Sequence, residues 1–219
     1  MKRLTYTGKD VEITYEVERC IHAAECANGL PGVFNPSNKP WVDPDDATVD
    51  EVAEVIHRCP TGALKYRRLD GGAAEMAAEA PSVNVAKDGP LYVRGNLHVH
   101  MPDSDGQVVE TRAAFCRCGA SSAKPFCDNA HKEAEFRDAC RVDLARAVED
   151  DYSEDTDVID VTPLADGPLK VEGLIEISGG DEAASGRFVG AFLCRCGASG
   201  NKPFCDGSHR EIQFEAAGS

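Results

Sequence analysis

The string C-R-C-G-A-S-x-x-K-P-F-C-D-x-x-H occurs twice in this chain. The first copy places Cys116, Cys118, Cys127 and His131, and the second places Cys194, Cys196, Cys205 and His209. Every member of the second set lies 78 residues after its counterpart. Three soft thiolates and one imidazole are a complete donor set for a metal centre. The chain is therefore read as a metal carrier, and its folding as dependent on metal. Domains of fewer than about 70 residues rarely build a sufficient core unaided and are commonly stapled by metal.

Within each copy the spacing has a physical reading. Two thiolates of C-x-C can serve one centre while the backbone bends between them. Gly119 and Gly197 follow, where the missing Cβ is expected to let backbone approach a cluster. Pro125 and Pro203 stiffen the approach to the third cysteine. Asp128 and Asp206 are expected to cap a short helix. That helix would set each Cys and the His four residues later on one face. Three Cys and one His also make a legitimate zinc set, but this spacing is not that of the usual fingers. Arg117, Arg195, Lys124 and Lys202 read either as charge balance for the metal or as surface cations.

The chain has 219 residues, ten of them cysteines, and no N-terminal apolar segment of the export type. Cysteines in that setting are expected as metal ligands in a reducing cytoplasm, not as disulfides. No stretch approaches the ~18 apolar residues of a membrane span. A formal charge of −15, from 38 acidic and 23 basic residues, argues against nucleic acid as a partner. It suits solubility, or docking to a basic partner.

Three units are expected. The first covers residues 1–70. Lys2–Thr7 and Val11–Glu16 alternate around Gly8-Lys9-Asp10, as in a hairpin. Cys20–Asn28 reads as a short helix ending at Gly29. Thr48-Val49-Asp50-Glu51 is a capping box opening a second helix, which Cys59-Pro60 stops. Ala63–Tyr66 reads as a strand. Residues 70–80 read as a linker. The repeats follow at 81–141 and 159–219, each with Asp-Gly-Pro-Leu and two short strands flanking Gly95 or Gly173. The acidic run Glu149–Asp155 reads as a solvated connection.

Cys205-Asp206-Gly207-Ser208-His209 is similar to the signature of the CDGSH iron–sulfur domain, the mitoNEET-like family. Cys194, Cys196, Ser199 and Pro203 fit the same pattern. The first copy departs from it, with Asn129 and Ala130 for Gly and Ser, but keeps all four ligands. The resemblance implies a [2Fe-2S] cluster on three Cys and one His at each site. It also implies a β-rich fold in which two motifs pair, here as a pseudo-dimer within one chain. An imidazole ligand should raise the reduction potential. It can also be lost to protonation near pH ~6.5. Mild acid is therefore expected to release both clusters, and visible absorbance of His131→Cys and His209→Cys variants at low pH checks this.

Cys20, Cys26 and Cys59-Pro60 form a separate set. A remote Cys-Pro is the last-ligand signature of bacterial ferredoxins. Here Ala23 stands where the middle cysteine of C-x2-C-x2-C would be. With Gly29-Leu30-Pro31, Pro40-Trp41 and Arg58–Leu64, the first seventy residues look like the divergent single-cluster ferredoxin family. Three thiolates suit a [3Fe-4S] cluster. A [4Fe-4S] cluster with His22, Glu25 or water as fourth ligand stays open.

The expected fold is thus α+β, a ferredoxin-like domain followed by a β-rich tandem unit. The expected function is electron transfer, or storage and transfer of [2Fe-2S] clusters, with a redox protein or an apo-protein acceptor as partner. No nucleophile–base pair or phosphate loop is visible, so an enzyme is not expected. The rivals are an electron-delivery subunit of an oxidoreductase, reducible by a flavoprotein reductase, and a colourless zinc-stapled interaction module. Cys140 has no counterpart in the second repeat and reads as a buried filler. Trp41 reads as a core or lid residue.

Overall fold

In the computed structural model, which describes residues 2–102, 106–148, 158–179 and 184–218, the chain divides into units at 1–76 and 77–219. The acidic run at 149–155 lies outside the described residues. Strand is the dominant element and the helices are few and short, an α+β composition. No helix among the described residues is long and apolar enough to cross a membrane.

The first unit is a three-stranded antiparallel sheet with a helix packed on it. Strands β1 (Arg3–Thr7) and β2 (Val11–Glu16) form the expected hairpin, and β3 (Leu64–Arg68) pairs with β2. Helix α1 spans Glu25–Gly29 and α2 spans Val49–Arg58. Both halves of the capping box form: the Thr48 hydroxyl accepts from the Glu51 amide, and the Glu51 carboxylate accepts from the Thr48 amide. Val52, Ala53, Val55 and Ile56 recur at helical spacing and are buried. Val52, Val55 and Ile56 meet Val11, Ile13, Val33, Phe34, Val42 and Leu64 in one core.

The expected helix over Cys20–Asn28 is only partly formed. Residues 20–24 are irregular, with His22 and Ala24 at positive φ (53° and 61°), and α1 starts at Glu25. Alanine favours a helix locally, yet here the backbone turns out of helical geometry between the first two cysteines.

The second unit holds both repeats, built from the same elements in the same order. The first repeat has β4 (Ser82–Val85), β5 (Leu91–His100), β6 (Gln107–Phe115) and α3 (Ala130–Glu133). The second has β7 (Val158–Pro163), β8 (Leu169–Gly179), β9 (Ala184–Leu193) and α4 (Ser208–Glu211). The two short strands expected around Gly95 are one long strand. Register slips between Arg94 and Leu97, and again between Val171 and Leu174, so Gly95 (φ 140°) and Gly173 (φ 114°) mark bulges.

Each repeat lends its first strand to the other. β4 pairs with β5 of its own repeat and, in parallel, with β8; β7 pairs with β8 and, in parallel, with β5. The borrowed registers are equivalent. Ser82 faces Glu176, and Asp160, its counterpart 78 residues on, faces His98. The four strands close a ring, flanked by β6 on β5 and β9 on β8. β5 alternates buried and half-buried residues along its length, so its inward side chains fill the ring's core. Leu91, Val93, Leu97 and Val99 meet Val161, Leu169, Val171 and Ile177 there. Neither repeat could close this core alone.

Candidate metal centres

In each repeat a strand ends at the first cysteine and a four-residue helix presents the histidine. β6 stops at Phe115, and β9 at Leu193. Phe126 and Phe204 bridge back to these residues. The Cys127 amide donates to the Ala114 carbonyl and that of Cys205 to the Phe192 carbonyl, both at 2.8 Å. Lys124-Pro125 and Lys202-Pro203 are cis peptides. The Ser121 and Ser199 hydroxyls donate to the carbonyls of Phe126 and Phe204, holding both ends of the loop together.

The aspartate after each third cysteine does more than cap. Asp128 Oδ1 accepts from the Ala130 amide at 3.0 Å, and Oδ2 accepts from the Ser122 amide and hydroxyl. Asp206 accepts likewise from the Ser208 and Gly200 amides. The residues at the helix entrance are Asn129 and Gly207, both in the left-handed region at φ 75° and 95°. Asparagine tolerates that region better than most, which accounts for the first repeat's departure from the motif.

The donor atoms meet in pairs. Cys116 and Cys118 Sγ are 3.7 Å apart, as are Cys194 and Cys196 Sγ. Cys127 Sγ lies 3.5 Å from His131 Nδ1, and Cys205 Sγ 3.4 Å from His209 Nδ1. Metal–sulfur bonds of about 2.3 Å and metal–nitrogen bonds of about 2.0–2.1 Å at tetrahedral angles place two donors on one metal roughly 3.5–3.8 Å apart. Each pair lies within about 0.1 Å of one edge of such a tetrahedron. Among the described residues, no three His, Cys, Asp or Glu side chains close on a single ion. Burial pushes the Cys127 thiol up to about 11 and also raises those of Cys194 and Cys205. Cys116 goes the other way, lowered by its contact with the Cys118 thiol. A metal bound here would displace the protons the thiols otherwise hold.

Gly119 and Gly197 also serve an end that the motif does not announce. Cys118 and Cys196 pair as an antiparallel bridge, joining the two ligand loops back to back. A Cβ on Gly119 would lie 2.6 Å from the Cys196 carbonyl oxygen, and one on Gly197 would lie 2.7 Å from that of Cys118. The close approach is to the other repeat's backbone.

Arg117 and Arg195 are not surface cations: both are 1% exposed. Arg117 Nε donates to the Gly89 carbonyl and its NH2 group to the Ala86 carbonyl, while NH1 pairs with Asp138. Arg195 repeats the first two bonds on Gly167 and Leu164. Its third goes to the Ala217 carbonyl at 3.2 Å, since position 216, the counterpart of Asp138, is alanine. The alternation that identifies a buried strand residue gives no warning of an arginine set between two ligands. Cys140 is buried, as expected of a filler, with its thiol donating to the Asp138 carbonyl.

In the first unit Cys20, Cys26 and Cys59 line one cavity with Tyr15, Trp41 and Glu25. Trp41 stacks edge-on to Tyr15 with ring centres 5.0 Å apart, so it is a wall of the site. Of the side chains considered as a fourth ligand, Glu25 is among the cavity's walls and His22 is not. Burial raises the Cys26 thiol, and the neighbouring Cys59 and Cys20 raise it further.

Residues 6–69 match the family described as a divergent 4Fe-4S mono-cluster, and residues 88–132 and 166–210 each match the iron-binding zinc finger of CDGSH type. The chain belongs to both families, one mono-cluster domain followed by two CDGSH domains. The mono-cluster domain is 42% identical over 62 residues to the uncharacterized protein YjdI of Escherichia coli K12, and equally to that of strain O157:H7. That alignment covers 82% of YjdI and 28% of this chain. No solved structure matches. The mono-cluster match spans all three N-terminal cysteines, and each CDGSH match spans a full Cys3His set.

Proposed function

We propose that the chain is an electron-transfer or cluster-delivery protein carrying three iron–sulfur clusters. Cys116, Cys118, Cys127 and His131 hold one [2Fe-2S] cluster, and Cys194, Cys196, Cys205 and His209 hold a second. The paired spacing of the donors carries this reading. In a [2Fe-2S] centre each iron takes two protein ligands; the Cys–Cys pair would serve one iron and the Cys–His pair the other. A structural zinc draws all four donors to one point, which the two-by-two arrangement does not favour. Cys20, Cys26 and Cys59 hold a [3Fe-4S] cluster, or a [4Fe-4S] cluster whose fourth ligand is Glu25 or water; the cavity walls support Glu25 over His22. Bound, these groups supply one-electron chemistry, and the protein supplies ligands, burial and fixed dipoles.

The twin repeats act as a pseudo-dimer within the chain, a reading supported by their exchanged first strands. The partner is a redox protein or an apo-protein acceptor, and the chain is not itself an enzyme. The deciding experiment is an anaerobic visible spectrum with iron, sulfide and zinc counted per chain. Brown-red protein with about seven or eight irons is expected, the sum of two two-iron clusters and one of three or four. Colourless protein with roughly two zincs would reduce the tandem unit to a structural module.

A further inference from the structure

The two CDGSH sites have the same ligands and different covers. In the first repeat Tyr92 on β5 faces Ala114 on β6. Tyr92 is half-buried, its hydroxyl raised by burial and by the nearby Cys127. Ala114 is buried beside it, and Cys127 is 3% exposed. At the equivalent positions of the second repeat Lys170 faces Phe192. Phe192 is 51% exposed, and Cys205 reaches the surface. Two surface grooves, of about 740 and 540 Å³, both have Phe192 and Cys205 in their walls, and the smaller also has His209. The segment behind the first site is held by the Arg117–Asp138 ion pair, whereas Arg195 has only a carbonyl in that place.

We propose that the second site is the exchange site of the pair, open to an acceptor's thiolates at Cys205, while the first site gives up its cluster more slowly. This rests on the [2Fe-2S] reading above. Exchange replaces Cys194, Cys196, Cys205 and His209 one for one by four acceptor thiolates, with no change in oxidation state. The four acceptor thiols each release a proton. Three of these protons return to the freed cysteines, and the fourth goes to His209 or water.

The test mixes the full cluster-loaded chain with apo plant-type ferredoxin. It follows visible absorbance and, by iodoacetamide labelling and peptide mass, which cysteines become free. Conversion of the Cys3His absorbance into that of the acceptor's all-cysteine cluster is expected in two phases of equal amplitude, with Cys205 labelled before Cys127. The double variant Lys170→Tyr, Phe192→Ala, which copies the first site's cover, should slow the fast phase about fivefold, equivalent to roughly 1 kcal/mol of added contact. Tyr92→Lys should speed the slow phase by a similar factor. A single phase with equal labelling, or a fast phase unmoved by the double variant, would overturn the proposal while leaving the cluster assignment intact. Protein that is colourless before mixing would overturn both.

Discussion

Alanine at Gly119 or Gly197 should empty both CDGSH sites, not just the one it belongs to. Each glycine sits at positive φ, 82° and 84°, where an alanine pays about 1–2 kcal/mol. The larger cost is steric. The added methyl would stand 2.6–2.7 Å from a carbonyl oxygen of the opposite repeat, and a backbone oxygen cannot swing aside as a side chain can. The Cys118–Cys196 bridge must therefore open, displacing one ligand of each site. A total loss of about 3–5 kcal/mol is expected, in the range of the severe single substitutions. Iron per chain and visible absorbance would report it. Gly207→Asn is the control: its φ is also positive, nothing lies within 4 Å of the added Cβ, and the first repeat already carries Asn129 there. It should stay close to wild type. Clearing of one site alone by Gly119→Ala would show that the loops are independent.

The second large effect is expected in the mono-cluster domain. Arg19 is 2% exposed. It donates to Glu16 Oε2 at 3.2 Å and to the Thr61 carbonyl at 2.6 Å. It thus ties the residue before Cys20 to the loop that follows Cys59. Glu16→Ala would leave this guanidinium buried without its carboxylate, which costs about 3–5 kcal/mol when such a pair is broken from one side. The N-terminal cluster should be lost with it, while the CDGSH absorbance persists. The effect should depend on pH. Burial pushes the Glu16 carboxyl up, but Arg3, Lys65 and Arg19 outweigh it and hold the group below its ordinary value of 4.5. A carboxyl depressed in the folded state stabilises above its unfolded pKa and ceases to do so as pH falls through the folded one. Urea midpoints of wild type and Glu16→Ala should therefore differ widely at pH 7 and converge below about pH 4. A gap that stays constant across that range would rule out the charge pair as the cause.

What could be read from the sequence was local. The β1–β2 hairpin, the Thr48 capping box, the stop at Cys59-Pro60 and the two ligand strings all depend on residues no more than 15 positions apart. The features that escaped depend on distant partners. Nothing in Val158–Pro163 says that it pairs with β5 as well as β8. The pattern around Gly95 fits two strands as well as one bulged strand, because a glycine inside a strand reads equally as a break between two. Arg117 reads as polar until Gly89, Ala86 and Asp138 are seen around it. His22 and Ala24 adopt left-handed backbone against their local preference, and only the cavity shared by Cys20, Cys26 and Cys59 gives that turn a purpose.

The borrowed strands also bear on how the chain behaves when it is scarce. Two separate copies of such a repeat would meet by collision, and their pairing would fade on dilution. Here β4 and β7 are tethered to their hosts, so the partner is present at an effective concentration fixed by the connection and not by the cell. The twin sites are assembled in a single molecule, at any expression level.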